Sequence, residues 1–292
     1  MRIDLHTHSR ASDGTQTPAE LVHAGSSAGL DVLAITDHDT ADGWGEAERA
    51  ARETGLELVR GMEISTLHAG RAVHLLAYLP DPAYPPLDAE LRRILDGRSS
   101  RLPAMLAQLR GLGIDIDVDD VRRVADGTAA TGRPHVADAL VDLGVVRDRT
   151  EAFTRFLNPG RPAHARRYAP PVETMIEVVA GAGGATVVAH AWGRHGVERP
   201  DEATLAGFAD LGLSGLEVDH QDHAPGARDR LRAIARNLDL VVTGSSDHHG
   251  TGKIDHDLGV NTTAPEEYAR LLERAARAAA RSGRDVPAVV AA

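Results

Sequence analysis

The sequence predicts an α/β protein, a β/α sheet or barrel interrupted by an all-helical insertion. Short apolar runs alternate with amphipathic stretches over residues 1–80, the alternation stops across 81–163, and it resumes from Val172. With 292 residues and 42% hydrophobic content, the chain can bury a core for such a fold.

Taken in order, 2–6, 31–37, 56–65 and 72–79 read as strands, with helices over 18–28 and 41–53 between them. Thr17-Pro18-Ala19-Glu20 is a helix start: a hydroxyl cap, proline at the first helical position, an acid in the first turn. Prolines 80, 82, 85 and 86 then break the chain, and helical patterns follow over 87–111, 117–125, 134–143 and 148–157 with no convincing strand. Beyond them come a helix over 172–182, a strand over 185–190, a strand over 215–218, a helix over 224–237, a strand over 240–244 and a helix over 265–281. Neither flank has enough strands to close a sheet, so 1–80 and 164–292 are expected to form one discontinuous barrel, and 81–163 a helical insertion domain that contributes substrate contacts. The terminal Ala-Val-Val-Ala-Ala is expected to fray.

Composition excludes several chemistries. Zero cysteines rule out disulfides, thiolate metal sites and cysteine nucleophiles, which leaves imidazole and carboxylate as metal ligands. A net charge of -11 argues against coating duplex DNA. The start Met-Arg-Ile-Asp-Leu-His lacks a secretory pattern and no apolar run suits a membrane span, so the cytoplasm is the expected compartment and no membrane partner is expected. The chain holds 15 histidines against 4 Tyr, 3 Phe and 2 Trp. Its one lysine is Lys253; the other basic residues are arginines, whose planar forks suit phosphate oxygens.

Chemistry-bearing residues gather near strand ends. In Asp4-Leu5-His6-Thr7-His8 the two histidines point to one face of a strand, about 6.7 Å apart, a separation one ion can span. Asp37 and His38 close the second apolar run, Glu63 the third, and His74 lies in the fourth. His190 and the stretch Asp247-His248-His249 repeat the arrangement. Ionisable groups at the ends of buried strands are costly unless partnered or metal-bound, and carboxyl ends of strands are where β/α folds build active sites.

Asp4-Leu5-His6-Thr7-His8-Ser9, Ser12-Asp13-Gly14, Ile35-Thr36-Asp37-His38-Asp39, Gly61-Met62-Glu63 and Ser246-Asp247 with His249 resemble the successive motifs of the PHP (polymerase and histidinol phosphatase) metallo-phosphoesterases. The resemblance spans nearly the whole chain and implies a distorted (β/α)7 barrel with two or three divalent ions. Manganese is the first choice, and iron and zinc also suit nitrogen and oxygen ligands. It places His6, His8, Glu63 and Asp247 on one ion, Glu63, His74 and His190 on a second, and Asp13, His38 and His249 on a third. Asp13 stands where many relatives carry histidine. The implied reaction is phosphate monoester hydrolysis by a hydroxide bridging two ions, held by Glu63, His190 and Asp247.

Within the family, the chain is similar to stand-alone enzymes that remove the 3′-phosphate of nucleoside 3′,5′-bisphosphates, some of which trim short RNA from its 5′ end. Asp96-Gly97-Arg98 with Arg101, and Gly132-Arg133-Pro134-His135, resemble their phosphate-facing segments, so Arg98, Arg101, Arg133 and His135 are the expected substrate contacts. Arg98 and Arg101 share a helix face and could grip one phosphate.

Other readings compete. Histidinol phosphate would need fewer arginines; a metal-dependent nucleotide-binding module would keep the site without turnover; an amidohydrolase often needs a carboxylated lysine on a central strand. His135 is alternatively a buried helix residue bonded to a backbone carbonyl. His23, His68, His164, His195 and His256 read as solvated or structural, and His220 and His223 as pocket lining or rim. Asp37 and Asp39 read as groups orienting imidazoles. Arg166-Arg167-Tyr168 reads as a solvated patch, with base stacking as its alternative.

Overall fold

Seven strands lie side by side in chain order: β1 (Ile3–Thr7), β2 (Val32–Ile35), β3 (Glu57–His68), β4 (Arg71–Tyr78), β5 (Ala185–Val188), β6 (Gly215–Asp219) and β7 (Val241–Gly244). The structure is a computed structural model and describes residues 1–193 and 199–290. Pairing is parallel except on both sides of β4, which runs against β3 and β5. Just past β1 and β7 the His8 amide donates to the His248 carbonyl and the Asp247 amide to the His6 carbonyl, each at 2.9 Å, so the barrel is nearly closed.

The reversed β4 explains how His74 joins the other candidates. Its start lies at the edge where the parallel strands end, and His74 pairs in register with Ser65, two residues beyond Glu63. A wholly parallel sheet would put that segment at the opposite end of the barrel.

Helices α1 (Pro18–Ser27), α2 (Trp44–Thr54), α3 (Pro85–Gly111), α4 (Val118–Ala125), α5 (Arg133–Asp142), α6 (Arg149–Ala152), α7 (Val172–Gly181), α8 (Glu202–Asp210), α9 (Pro225–Asn237) and α10 (Pro265–Arg281) complete the described fold. The start of α1 is a full capping box between Thr17 and Glu20. Strand alternation divides β2 between two cores. Val32 and Ala34 join one that includes Tyr268 and Leu271 of α10, while Leu33 and Ile35 join the larger one beneath α1, α2 and α7.

Residues 85–157 contain no strand. Helix α3 runs through two cores: Leu87, Leu91 and Ile94 pack into the larger barrel core, and Met105, Leu106 and Leu109 into a separate one with Val121, Val136, Leu140 and Leu157. After α6 the chain widens into a π-helical turn, Phe153–Leu157, where a regular helix was expected.

Two expectations are corrected. Helix α8 was missed because only Leu205 and Phe208 of it are buried, too narrow a stripe to read; Asp201 caps it. The carboxyl-terminal tail does not fray up to Val290, which exchanges two backbone hydrogen bonds with Leu58, at 2.9 and 3.0 Å.

Candidate metal centre

Buried imidazoles and carboxylates converge at the carboxyl ends of the parallel strands. His6, His8 and Asp247 form one group of potential ligand atoms, His38, Glu63 and His74 a second, and His8, Asp13, His38 and His249 a third. Glu63 connects them. Its Oε2 lies 3.4 Å from His6 Nε2, 3.2 Å from His8 Nε2 and 3.1 Å from His38 Nδ1, and its Oε1 lies 2.5 Å from His74 Nδ1 and 3.0 Å from His190 Nε2. All the histidines and carboxylates expected to hold ions therefore meet at one end of the barrel. His38 stands between two of the groups rather than in the third alone.

Whether this set suits a cation is decided at His6. Its Nδ1 lies 3.0 Å from Glu217 Oε1, a contact that holds a proton on Nδ1 and turns Nε2 toward the cluster. That Nε2 faces His8 Nε2 at 3.0 Å, Glu63 Oε2 at 3.4 Å and Asp247 Oδ1 at 3.5 Å. Two imidazole nitrogens that can give up a proton and two carboxylate oxygens turned on one point fit a divalent ion. Burial opposes charge on Glu63, but His74, His38 and His6 outweigh it and hold the carboxyl well below its usual range. Asp13 is likewise lowered against its burial, by His38 and His249. His8, despite burial, is raised to about 10 by Asp247 and Glu63. The carboxylates thus demand positive charge at this place.

The surrounding chain is shaped to hold these groups. Asp39, His190 and Asp247 adopt positive φ values of 58°, 30° and 54°, which cost on the order of 1–3 kcal/mol each and occur where the packing over-determines them. Asp37 accepts from the Ser9 amide, the Ser9 hydroxyl and the Ser12 hydroxyl at 2.5–2.8 Å, fixing the loop that carries Asp13. Gly14 belongs to that loop because a Cβ there would stand 2.3 Å from the His8 carbonyl oxygen.

Several side chains escaped the sequence reading. Glu217 is buried in β6, where a lone acid between apolar neighbours was the available signal; besides orienting His6, it accepts the His190 amide at 2.7 Å. Lys253 Nζ lies 2.5 Å from Asp247 Oδ2. His220 resolves as lining, fully buried with Nε2 3.2 Å from Asp247 Oδ2. His223 resolves as support, between the Val218 carbonyl and the Trp192 amide. His248 ties the His256 carbonyl to Gln16. His256 is buried, not solvated. His23 and His68 face Glu53 and Glu173. His195 lies outside the described residues.

The arginine side differs from expectation. Asp39 does not orient an imidazole; it accepts from Arg98 Nε and Nη2 at 2.8 and 2.6 Å, and Arg98 Nη2 also reaches the Ser65 hydroxyl at 3.1 Å. Arg98 is therefore a tether rather than a free fork. Arg101, just one turn on, is 7% exposed, and its Nε meets no hydrogen-bond partner among the described residues. Burial and the charges of Arg133, Arg167 and Arg98 push its pKa down. His135 accepts the Gly132 amide at Nδ1, closing the start of α5, where a backbone carbonyl was the alternative partner. Tyr168 gives its hydroxyl to Glu90 and its ring face to Arg93, so it is not free to stack a base, and half-buried Arg167 adds charge to the arginine group instead of to a solvated patch.

Residues 4–89 match the PHP domain model. Over 264 residues, 90% of this chain and 92% of the relative, the sequence is 34% identical to the 3′,5′-nucleoside bisphosphate phosphatase of Chromobacterium violaceum. Over 248 residues, 85% of this chain and 90% of the relative, it is 35% identical to the 5′-3′ exoribonuclease of Haemophilus influenzae. A solved chain from Bifidobacterium adolescentis, described as a metal-dependent phosphoesterase, superposes with a TM-score of 0.89 at 37% identity, covering 93% of this chain and 96% of that one.

Proposed function

This chain belongs to the PHP-domain family of metal-dependent phosphoesterases and is a phosphoester hydrolase; we propose that its substrate is a nucleoside 3′,5′-bisphosphate, from which it removes the 3′-phosphate, with short 5′-phosphorylated RNA as a second substrate. The observation that carries this reading is Arg101: a buried guanidinium whose Nε has no hydrogen-bond partner among the described residues, crowded by Arg133, Arg167 and Arg98, the last of which also acts on His38. Such a group is stabilised by a bound anion. Histidinol phosphate, with one phosphate and an imidazole head, would leave that position unmatched.

In this reading His6, His8, Glu63 and Asp247 hold one ion, His74 and His190 share Glu63 with a second, and Asp13, His38 and His249 hold a third. Divalent ions there, manganese by preference, supply Lewis acidity and a water of lowered pKa. The chain's own residues do the rest. Glu217 keeps His6 Nε2 turned inward, Asp39 tethers Arg98, and Arg101 with Arg133 binds the phosphate that is not transferred, turning its binding into orientation at the other. Residues 81–163 act as a helical unit that brings these cations to the barrel. The acidic surface suits small anions guided by local arginines better than duplex DNA, and the cytoplasm is the proposed compartment.

The test is phosphate release by protein purified with manganese, comparing adenosine 3′,5′-bisphosphate, 5′-AMP and histidinol phosphate beside a chelated sample. Rapid, chelator-sensitive release confined to the bisphosphate is expected; equal rates on all three would remove the substrate reading and leave the hydrolase.

A further inference from the structure

Lys253 is the one lysine in a chain that otherwise uses arginine for every basic side chain. It sits in the loop after β7, which is held on either side: the Thr251 amide donates to Thr15 Oγ1 at 2.9 Å, the Gly252 amide to the His249 carbonyl at 3.2 Å, and His256 Nδ1 contacts the Ile254 carbonyl at 2.7 Å. From this braced loop the side chain reaches Asp247, 2.5 Å from its Oδ2, with Asp222 Oδ2 at 3.8 Å. The Lys253 side chain is 29% exposed, between Asp247 at 6% and Asp222 at 42%, so the ammonium stands in the mouth of the site.

Asp247 has two faces. Oδ1 meets His6, His8 and His249 at 3.4–3.5 Å; Oδ2 meets Lys253 and His220. A phosphoryl group lying over the imidazole cluster beside Asp247 therefore borders the ammonium directly. An ammonium carries three donors, and the hydrogen bond to Asp247 uses one, with Asp222 too distant for another. A guanidinium at this place would fork onto both Asp247 oxygens and compete with the imidazoles, whereas a compact point charge leaves Oδ1 to them. The arginines, tied through Arg98 to Asp39 and Ser65, flank the cluster from the His38 and Glu63 side instead. Cationic groups thus border the cluster at Asp247 and at Asp39, beside His38, which suits a substrate with two phosphates.

We propose that Lys253 is a catalytic residue: its ammonium, anchored on Asp247, takes a non-bridging oxygen of the phosphoryl group transferred to water, while the arginines hold the other phosphate. The assignment of the two phosphates rests on the bisphosphate reading above; the contact between Lys253 and the reacting phosphate does not. In the reaction a phosphorus–oxygen bond forms to water, the ester bond breaks, and a water proton ends on the leaving oxygen. Lys253 keeps its proton throughout and acts by charge alone.

A single lysine makes the test direct. Protein labelled with ε-15N-lysine carries one side-chain signal, and in the zinc-loaded wild type that signal shifts saturably on titration with inorganic phosphate. Lys253→Met lowers kcat about 100-fold on the bisphosphate and on 3′-AMP alike, with metal content by elemental analysis unchanged, and Lys253→Arg recovers part of the loss. The proposal is overturned by a signal that saturating phosphate does not move, by an unchanged kcat, or by metal lost in step with activity, which would make Lys253 a positioning residue for Asp247. Should the wild type hydrolyse other monoesters and spare the bisphosphate, the substrate reading fails while the phosphate titration still decides Lys253.

Discussion

In the barrel mouth Glu63 lies against His6, His8, His38, His74 and His190, whereas in the wall made by α3 and α5 Arg101 has Arg98, Arg133 and Arg167 around it and no hydrogen bond on its Nε among the described residues. Both regions are buried and both carry charge that burial penalises. They differ in what remains unmatched. The mouth collects imidazoles and carboxylates, which suit cations; the wall collects guanidinium groups, Arg98 among them paired with Asp39, which suit an anion. Neighbouring sites of opposite demand are what phosphate ester hydrolysis requires, since the metals and the substrate carry opposite charge.

The comparison predicts effects of different size and kind. The largest belongs to His8, shared by two ligand groups: His8→Ala should lower phosphate release below about a thousandth of wild type on every substrate, with loss of bound metal by elemental analysis. Residual activity near wild type would show that the mouth does not need this shared donor. Next is Glu217→Gln, which keeps the shape and loses the charge that fixes the His6 tautomer. Metal affinity measured by calorimetry should fall about 10- to 100-fold while the melting temperature of the loaded protein changes little.

Arg101→Ala sharpens the contrast between the regions. Its kcat/KM on adenosine 3′,5′-bisphosphate should fall about thirtyfold, roughly 2 kcal/mol, with 3′-AMP nearly unaffected; equal losses on both would place Arg101 at the reacting phosphate instead. In the metal-free protein, acid should act on the mouth. Asp13, Glu63 and Asp247 are held below their ordinary values of 3.8, 4.5 and 3.8, so the stability they contribute is complete above those values and declines as pH falls beneath them. The expected loss is on the order of 2 kcal/mol per group, read by urea midpoints between pH 5 and pH 3, and a flat profile would contradict the ion pairs. The smallest effect is Gly132→Ala, whose Cβ would stand 2.8 Å from Arg98 Nη1; a rise in KM for the bisphosphate of less than 1 kcal/mol is expected, with kcat preserved.

Most ligand-type residues were legible because their signal is local. A histidine two residues from another on a strand shares its face, and an acid or imidazole closing a buried apolar run stands out against its neighbours. Substrate-side residues were harder. Arg98 and Arg101 look alike in sequence, and only the contact with Asp39, 59 positions away, makes one a tether, while the other has no hydrogen bond on its Nε among the described residues. Tyr168 likewise looked available for stacking until its ring and hydroxyl were both found engaged on α3.

By itself the sequence determined which chemistry the chain can perform: no thiol, abundant imidazole, carboxylates at strand ends, arginine in a helical stretch. Residue type and strand period are properties of neighbouring positions, so they survive without coordinates. The tertiary structure alone decided the reversal of β4 that brings His74 to Glu63, the Glu217 contact that turns His6 Nε2 inward, and the reach of Lys253 to Asp247. Each of these depends on which segments lie side by side and on the direction a side chain leaves them, and long-range pairing carries no short-range signature.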